Sequence, residues 1–351
     1  MATSGYNRYR GRSGGHKGLL VAVLVLILLA AVGFLVSQRY LVYDESGKPH
    51  WELPFIHREE STPSQPDSNP ISPEDVVIDR EDPEPEPEPE PDPTPARRRL
   101  TELHARELEN GALWWNTDYV LSEVEGDMMV EVKRPGGGIT YGTEVKTPSG
   151  VVVERGVTRG NLTTLLKSDH YSVARISCFR DTSYAEGKPD TALKAAWGDL
   201  WYDADGYAWL DPANEEVRAY LTALCRECAE LGFDEILLDN FCYPVRGDRE
   251  SLVLADGLDK TAVLADFAAA IREVLPENVT LSVAFRGSMG SLGGYSGMKA
   301  DLLASFDRIY VNESVDRAAL EAALPEDYDR VGGLALLCYA KPSSGGYAIL
   351  P

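Results

Sequence analysis

Histidine is scarce in this chain: of five in 351 residues, only His104 and His170 lie beyond residue 99. Zinc hydrolase chemistry, which draws heavily on histidine ligands, is therefore disfavoured. No histidine is obviously placed as the base for a nucleophile, and a Gly-x-Ser-x-Gly elbow is missing, since Gly287-Ser288-Met289-Gly290-Ser291 and Gly294-Tyr295-Ser296-Gly297 do not follow the pattern. A phosphate-binding Gly-x-x-x-x-Gly-Lys loop is absent as well. Cysteine is limited to positions 178, 225, 228, 242 and 338. An odd count without regular spacing argues against a disulfide-stapled fold. Cys225-x-x-Cys228 has no second pair, and its spacing puts both thiols on one helix face, so buried thiols are expected there and neither a metal nor a cofactor.

Positive charge is also short. Residues 100–351 hold 40 acidic against 23 basic side chains, a net charge of about −17. Nucleic acid is a poor partner for such a surface, whereas a neutral saccharide or a mildly charged wall glycan suits it better. Asp203-x-Asp205-Gly206 lacks the later ligands of a calcium loop and reads as a turn.

What the chain has in abundance is concentrated at its start. Leu19 to Val36 carries no charge and is nearly all apolar, so residues 18–37 meet the ~20-residue length of a membrane-spanning helix. A cleaved signal peptide is the alternative, but its apolar region is usually ~7–15 residues and is followed by an Ala-x-Ala-like site. Arg8, Arg10, Arg12 and Lys17 precede the segment without an acidic residue, so the tail at 1–17 is expected in the cytoplasm and everything after the single pass outside the cell membrane. Residues 38–99 are rich in proline, serine and acid and end in the alternating run Pro83 to Pro93. Alternating proline favours polyproline II and like charges resist collapse, which predicts a disordered, semi-rigid stalk.

Residues 100–351 then have the length of one barrel. Strands are expected at Ala112–Trp115, Met128–Val132, Ser172–Phe179, Glu235–Leu238, Val279–Phe285, Arg308–Val311 and Gly333–Tyr339, with a weak eighth at Tyr347–Leu350. Helices are expected at Asp118–Glu125, Asn161–Lys167, Glu215–Leu231, Thr261–Val274 and Asp316–Ala323, and a hairpin within the insertion Tyr141–Arg159. Regular alternation favours an α/β fold, a (β/α)8 TIM-like barrel over a doubly wound sheet. One unit is especially clear. Asp211-Pro212 offers a capping carboxylate, Glu215 and Glu216 favour a first turn, Leu221, Leu224, Cys225, Cys228 and Leu231 make one apolar face, and Gly232 stops the helix. The strand that follows ends in Asp239, where barrel enzymes keep catalytic groups.

Ala174-Arg175-Ile176-Ser177-Cys178-Phe179-Arg180-Asp181, Trp209-Leu210-Asp211-Pro212 and Phe233-Asp234-Glu235-Ile236-Leu237-Leu238-Asp239-Asn240-Phe241 occur in this order. Together they resemble a bacterial family of glycoside-hydrolase-type TIM barrels first filed as a domain of unknown function. The resemblance spans roughly Trp115 to Tyr339 and implies a TIM barrel with glycosidase activity. The chain departs from the family pattern at Arg134-Pro135-Gly136-Gly137-Gly138, at Asn240-Phe241 and at Tyr310-Val311-Asn312-Glu313-Ser314.

Glycoside hydrolysis needs two carboxyl groups flanking the scissile bond, one protonated and one ionised. Asp239 is the first candidate, and Glu313, after the Arg308–Val311 strand, is preferred as its partner, with Glu131 and Asp181 competing. Arg175, inside a strand, must meet a carboxylate and is placed to tune Asp239 or to pair structurally. Lys133 and Arg286 end strands and are expected to bind sugar hydroxyls or hold the acids. Trp197, Trp201, Tyr202 and Trp209 crowd one loop region, from which Trp209 is the candidate stacking surface. The expected activity is hydrolysis of an envelope or environmental glycan. A barrel that binds polysaccharide without cleaving it, and an envelope scaffold, are the alternatives.

Overall fold

The computed structural model describes residues 41–43, 49–51, 101–286 and 294–351. The expected cytoplasmic tail, the membrane-spanning segment at 18–37 and most of the 38–99 stalk lie outside the described residues. Among the described residues, no helix is long and apolar enough to cross a membrane. The chain divides into two compact units, 1–88 and 89–351. In the first, Leu41–Tyr43 pairs antiparallel with Pro49–Trp51.

Eight parallel strands of the second unit close into a barrel. They are β1 (His104–Glu107), β2 (Asp127–Lys133), β3 (Ser172–Ser177), β4 (Glu235–Asp239), β5 (Thr280–Phe285), β6 (Arg308–Val311), β7 (Leu334–Cys338) and β8 (Gly346–Ile349). Each pairs with its neighbour in chain order, and β8 closes on β1 with Ala348 opposite Ala105. Helices α1 (Thr117–Glu123), α2 (Gly156–Leu165), α3 (Thr182–Gly187), α4 (Glu215–Leu231), α5 (Lys260–Val274), α6 (Ala300–Ala304) and α7 (Arg317–Ala323) lie between successive strands as far as β7, with α3 and α4 both between β3 and β4. The TIM-like α/β architecture expected from the pattern is the one observed.

Strand periodicity divides the core in two, because successive side chains point to opposite faces. Ala105, Met129, Val173, Leu237, Tyr310, Ala335 and Ala348 fill the barrel interior. Ala174, Ile176, Ile236, Leu238 and Val283 point outward against the helices. Helix α4 illustrates the outer layer: Val217, Leu221, Leu224, Cys225 and Cys228 are all fully buried. Truncating one of these leucines to alanine should cost about 2–5 kcal/mol. The helix has the expected bounds, but its cap differs. Asn214, not Asp211, accepts the Glu216 and Val217 amides, while Asp211 accepts from Ala213 in the preceding turn. Gly232 ends the helix at φ 108°, a left-handed conformation that costs glycine little.

Two strand-level expectations fail. Ala112–Trp114 is a short 3-10 turn, and the first barrel strand is instead His104–Glu107. In that strand only Ala105 and Glu107 point inward, so its hydrophobic signal is almost nil, whereas Ala112 and Leu113 are buried outside the barrel. No hairpin forms within Tyr141–Arg159. Ile139 instead bridges antiparallel to Lys133 and parallel to Val153, and α2 starts at Gly156 inside the expected insertion. The branched residues there are satisfied by a neighbouring loop and not by one another. All five cysteines are free thiols.

Candidate active site

The C-terminal ends of the strands surround a cavity of about 540 Å³. Its walls receive Glu107 from β1, Glu131 from β2, Arg175 from β3, Asp239 from β4 and Arg286 just past β5, with Asn312 and Tyr339 following β6 and β7. The period of two accounts for these directions. Val173 and Leu237 are inward-facing core residues, so Arg175 and Asp239, two positions further along, face inward one layer nearer the mouth.

Arg175 is the hub. Its Nε and Nη2 donate to both Glu107 oxygens at 2.6 and 3.0 Å, Nη2 also reaches Glu131 at 2.5 Å, and Nη1 reaches Asp239 at 2.9 Å. Arg286 forms a bidentate pair with Asp239, Nε to Oδ1 at 2.9 Å and Nη2 to Oδ2 at 2.8 Å. The Asn240 amide adds a bond to Asp239 Oδ1 at 2.9 Å. Asn240 has φ 52°, the sole left-handed non-glycine among the described residues. Asparagine tolerates this conformation, and its side chain is held by Ser177 Oγ at 3.0 Å.

Burial alone would raise the Asp239 carboxyl, but the charges and hydrogen bonds of Arg286 and Arg175 outweigh it and bring its pKa down to about 2. The two guanidinium groups therefore favour the carboxylate form of Asp239. Glu107 moves the other way, raised chiefly by burial, with Arg175 opposing and with Glu131 and Asp239 adding repulsion. The cluster thus holds three carboxyl groups against two guanidinium groups, with Glu107, Arg175 and Asp239 buried, where electrostatic interactions are stronger than in water.

A second layer of charge lines the wall. Arg180 donates to Asp203 at 2.7 Å and to Asp205 at 2.6 Å, and Trp209 Nε1 donates to Asp203 at 2.9 Å. Arg246 also reaches Asp205, at 3.2 Å. Trp209 therefore meets the cavity, as expected. Of the aromatics that crowd the same loops, Trp201 is buried with its Nε1 on the Asp248 carbonyl, and Trp197 and Tyr202 are exposed away from the lining.

Asp239, Arg175, Glu131, Arg286 and Trp209 are brought together as the sequence suggested, but three expected site residues are not. Glu313 is exposed and does not line the cavity; its neighbour Asn312 does. The β6 strand ends at Val311, and the turn after it carries Glu313 outward. Lys133 and Asp181 are wholly buried and pair with each other at 2.9 Å, with Lys133 Nζ also donating to the Ser177 carbonyl at 2.5 Å. The cause is a β-bulge between Glu131 and Lys133, which breaks the alternation and turns Lys133 out of the cavity while Glu131 stays in it. Asp181 caps α3 through the Tyr184 amide. It also accounts for Gly137, where a Cβ would lie 1.9 Å from Asp181 Oδ1. Glu107 is the residue that sequence reasoning missed, because its strand was not visible. The only available signal was the lone Arg175, whose burial required an acid partner. Among the described residues, no group of three or more His, Cys, Asp or Glu side chains is arranged to hold a metal ion.

A closed parallel barrel with a charged cavity at its C-terminal face is the arrangement on which many TIM-barrel enzymes are built. Residues 121–294 match a family model described as "Putative glycosyl hydrolase domain". The match includes β2 to β5 and hence Glu131, Arg175, Asp239 and Arg286; Glu107 lies before it. No curated protein matches the chain. Among solved structures, the chain is similar to a hypothetical protein from Ruminiclostridium thermocellum, with 27% identity and a TM-score of 0.41 over 50% of this chain and 91% of that one. It is also similar to an α-galactosidase from Thermus thermophilus, with 16% identity, a TM-score of 0.36 and coverage of 53% and 39%. A third is an α-galactosidase from Geobacillus stearothermophilus, with 9% identity, a TM-score of 0.47 and coverage of 72% and 39%. The chain spans about two fifths of the length of these two galactosidases.

Proposed function

We propose that the barrel is a glycoside hydrolase in which Asp239 acts as the ionised carboxylate and Glu131 as its proton-transferring partner. The observation that carries this reading is the placement of Asp239 at the end of β4, inside the cavity and ionised, with Glu131 sharing the Arg175 guanidinium. Asp239 would stabilise, or attack, the positive anomeric carbon that develops as the glycosidic bond breaks. Glu131, ion-paired to Arg175, would first take a proton from solvent at Oε2, which Arg134 approaches only to 3.7 Å, and pass it to the departing oxygen; the water that attacks the anomeric carbon returns a proton to it. Arg175 fixes both acids and is a positioning residue. The family description and the fold support this reading of the reaction class, and the net negative charge favours a neutral or mildly charged glycan.

The same proposal places the barrel outside the cell, tethered by residues 18–37 with the amino terminus in the cytoplasm and carried on the proline-rich stretch at 38–99. The uncharged run Leu19 to Val36 and its basic flank support it. The glycan would then belong to the envelope or its surroundings.

The test is hydrolysis of a panel of neutral and envelope polysaccharides by the full-length protein beside Asp239→Asn and Glu131→Gln. Product from the wild type, falling about 10³-fold or more in Asp239→Asn, is expected for loss of a group acting in the transition state. Undiminished turnover in Asp239→Asn would move the chemistry elsewhere. A second reading, a barrel that binds polysaccharide without cleaving it, is favoured by one feature. Both Asp239 oxygens are already occupied, by Arg175, Arg286 and the Asn240 amide. Binding without turnover would decide for it.

A further inference from the structure

The connection between β1 and α1 carries an exposed aromatic ridge that the reaction does not use. Trp114, Trp115 and Tyr119 are 46, 40 and 54% exposed, and the Trp115 and Tyr119 rings lie 6.1 Å apart between centroids, tilted by 58° to each other. Three large aromatics left in water within six positions form an apolar patch of the kind that marks a binding surface. They divide two depressions. One, of about 30 Å³, is lined by Trp114, Asn110 and Glu131, and the last two also line the central cavity. The other, of about 330 Å³, is lined by Trp115 and Tyr119 and shares Glu107 with the central cavity. The ridge therefore borders the barrel mouth on its Trp114 side, where Asn110 and Glu131 are shared.

The surrounding charge narrows the ligand. Glu109, Glu123 and Glu125 border the larger depression against one cation, Arg106. A polyanion would be repelled there, whereas uncharged sugars would stack their C–H faces on the rings and give their hydroxyls to the carboxylates. We propose that this ridge is a distal sugar-binding surface and that the ligand of the barrel is an uncharged polysaccharide several units long, running from the cavity over the β1–α1 connection. The inference deepens the glycosidase reading and rests on it for the identity of the central cavity as the reacting end. The binding role of the ridge can fail or stand by itself.

The experiment is titration calorimetry of the full-length protein with gluco-, galacto- and N-acetylglucosamine oligosaccharides of two and six units, and with polygalacturonate, alongside a hydrolysis assay. In at least one series the hexamer is expected to bind about tenfold or more tighter than the dimer. The Trp115→Ala/Tyr119→Ala double variant should bring the hexamer down to the affinity of the dimer, and Trp115→Phe should retain most of the difference. All three side chains are exposed, so the fold should survive, which circular dichroism checks. The proposal is overturned by equal binding of hexamer and dimer in every series, by absence of binding, by hexamer affinity unchanged in the double variant, or by polygalacturonate as the tightest ligand. Ridge-dependent hexamer binding without hydrolysis would uphold the ridge and reject the glycosidase. Hydrolysis of dimers with no gain from chain length would do the reverse.

Discussion

The barrel is charged at both ends, and β4 supplies a carboxylate to each. At the N-terminal end Glu235 is fully buried and accepts from Arg308 at 2.8 Å, Tyr310 at 2.7 Å and Tyr171 at 2.9 Å. Arg308 in turn donates to the Gly332 carbonyl at 2.8 Å. One acid meets one base, neutral hydroxyls satisfy the remaining acceptors, and the network is sealed. At the C-terminal end, four residues along the same strand, Asp239 belongs to a group of three carboxyls and two guanidiniums that opens on a cavity. A balanced, closed network can only hold the structure together. An unbalanced, open one keeps a charge available, which is what chemistry on a polar substrate requires.

This contrast can be broken most sharply by exchanging the roles of the two ends. Asp239→Asn, close to isosteric, should cost far more activity than stability, whereas Arg308→Met should leave Glu235 as an uncompensated buried charge and destabilise the fold by about 3–5 kcal/mol. Urea unfolding of both variants measures the difference. A large stability loss in Asp239→Asn with little in Arg308→Met would refute the division. Lys133→Met should resemble Arg308→Met, with a loss of similar size as Asp181 is left without its cation. The KM of the active protein should not change, because Lys133 does not line the cavity.

Arg286→Gln sharpens the electrostatic side. The guanidinium is the foremost of the contributions that hold the Asp239 carboxyl at about 2, so its removal should raise that pKa. Activity that needs ionised Asp239 is lost as pH falls through this pKa, so the acid limb of the pH–rate profile should move to higher pH in the variant. The sign for stability is the same. A depressed folded-state pKa contributes stability above the unfolded value of about 3.9 that is lost as pH falls toward 2. The variant should therefore acid-unfold at higher pH. Glu107, whose pKa is raised, has the opposite sign: its protonated form favours the fold below about 4.3, and that contribution is lost as pH rises through the raised value. The smallest effect is expected from Glu313→Gln. An exposed carboxylate outside the cavity should change turnover less than about twofold and stability by no more than ~0.5 kcal/mol. A large loss of turnover in this variant would restore Glu313 to the site.

Much of the architecture was legible because local and global signals agree. Helix α4 has a strong apolar face, acids at its start and glycine at its end, so its bounds are those expected. The strands β3 to β6 are buried at every residue and centre on apolar side chains, as strands of a parallel barrel should be. Strand β1 was invisible because His104-Ala105-Arg106-Glu107 alternates polar residues with one alanine and a glutamate whose burial depends on Arg175, 68 positions away. The site followed the same rule. Asp239 and Arg175 stood out as charges within apolar strands, but the partner carboxylate could not be chosen from several strand ends.

By itself, the amino-acid sequence determined the alternation of strands and helices, the acidic surface, the low histidine content and the position of Asp239 at a strand end, because these depend on neighbours along the chain. Tertiary structure decided which charges meet. Closure of the barrel brings Glu107, Glu131 and Asp239 around Arg175, the bulge in β2 turns Lys133 away, and the turn after β6 exposes Glu313. Those outcomes depend on register between strands far apart in the chain, where a shift of one residue reverses the direction of a side chain.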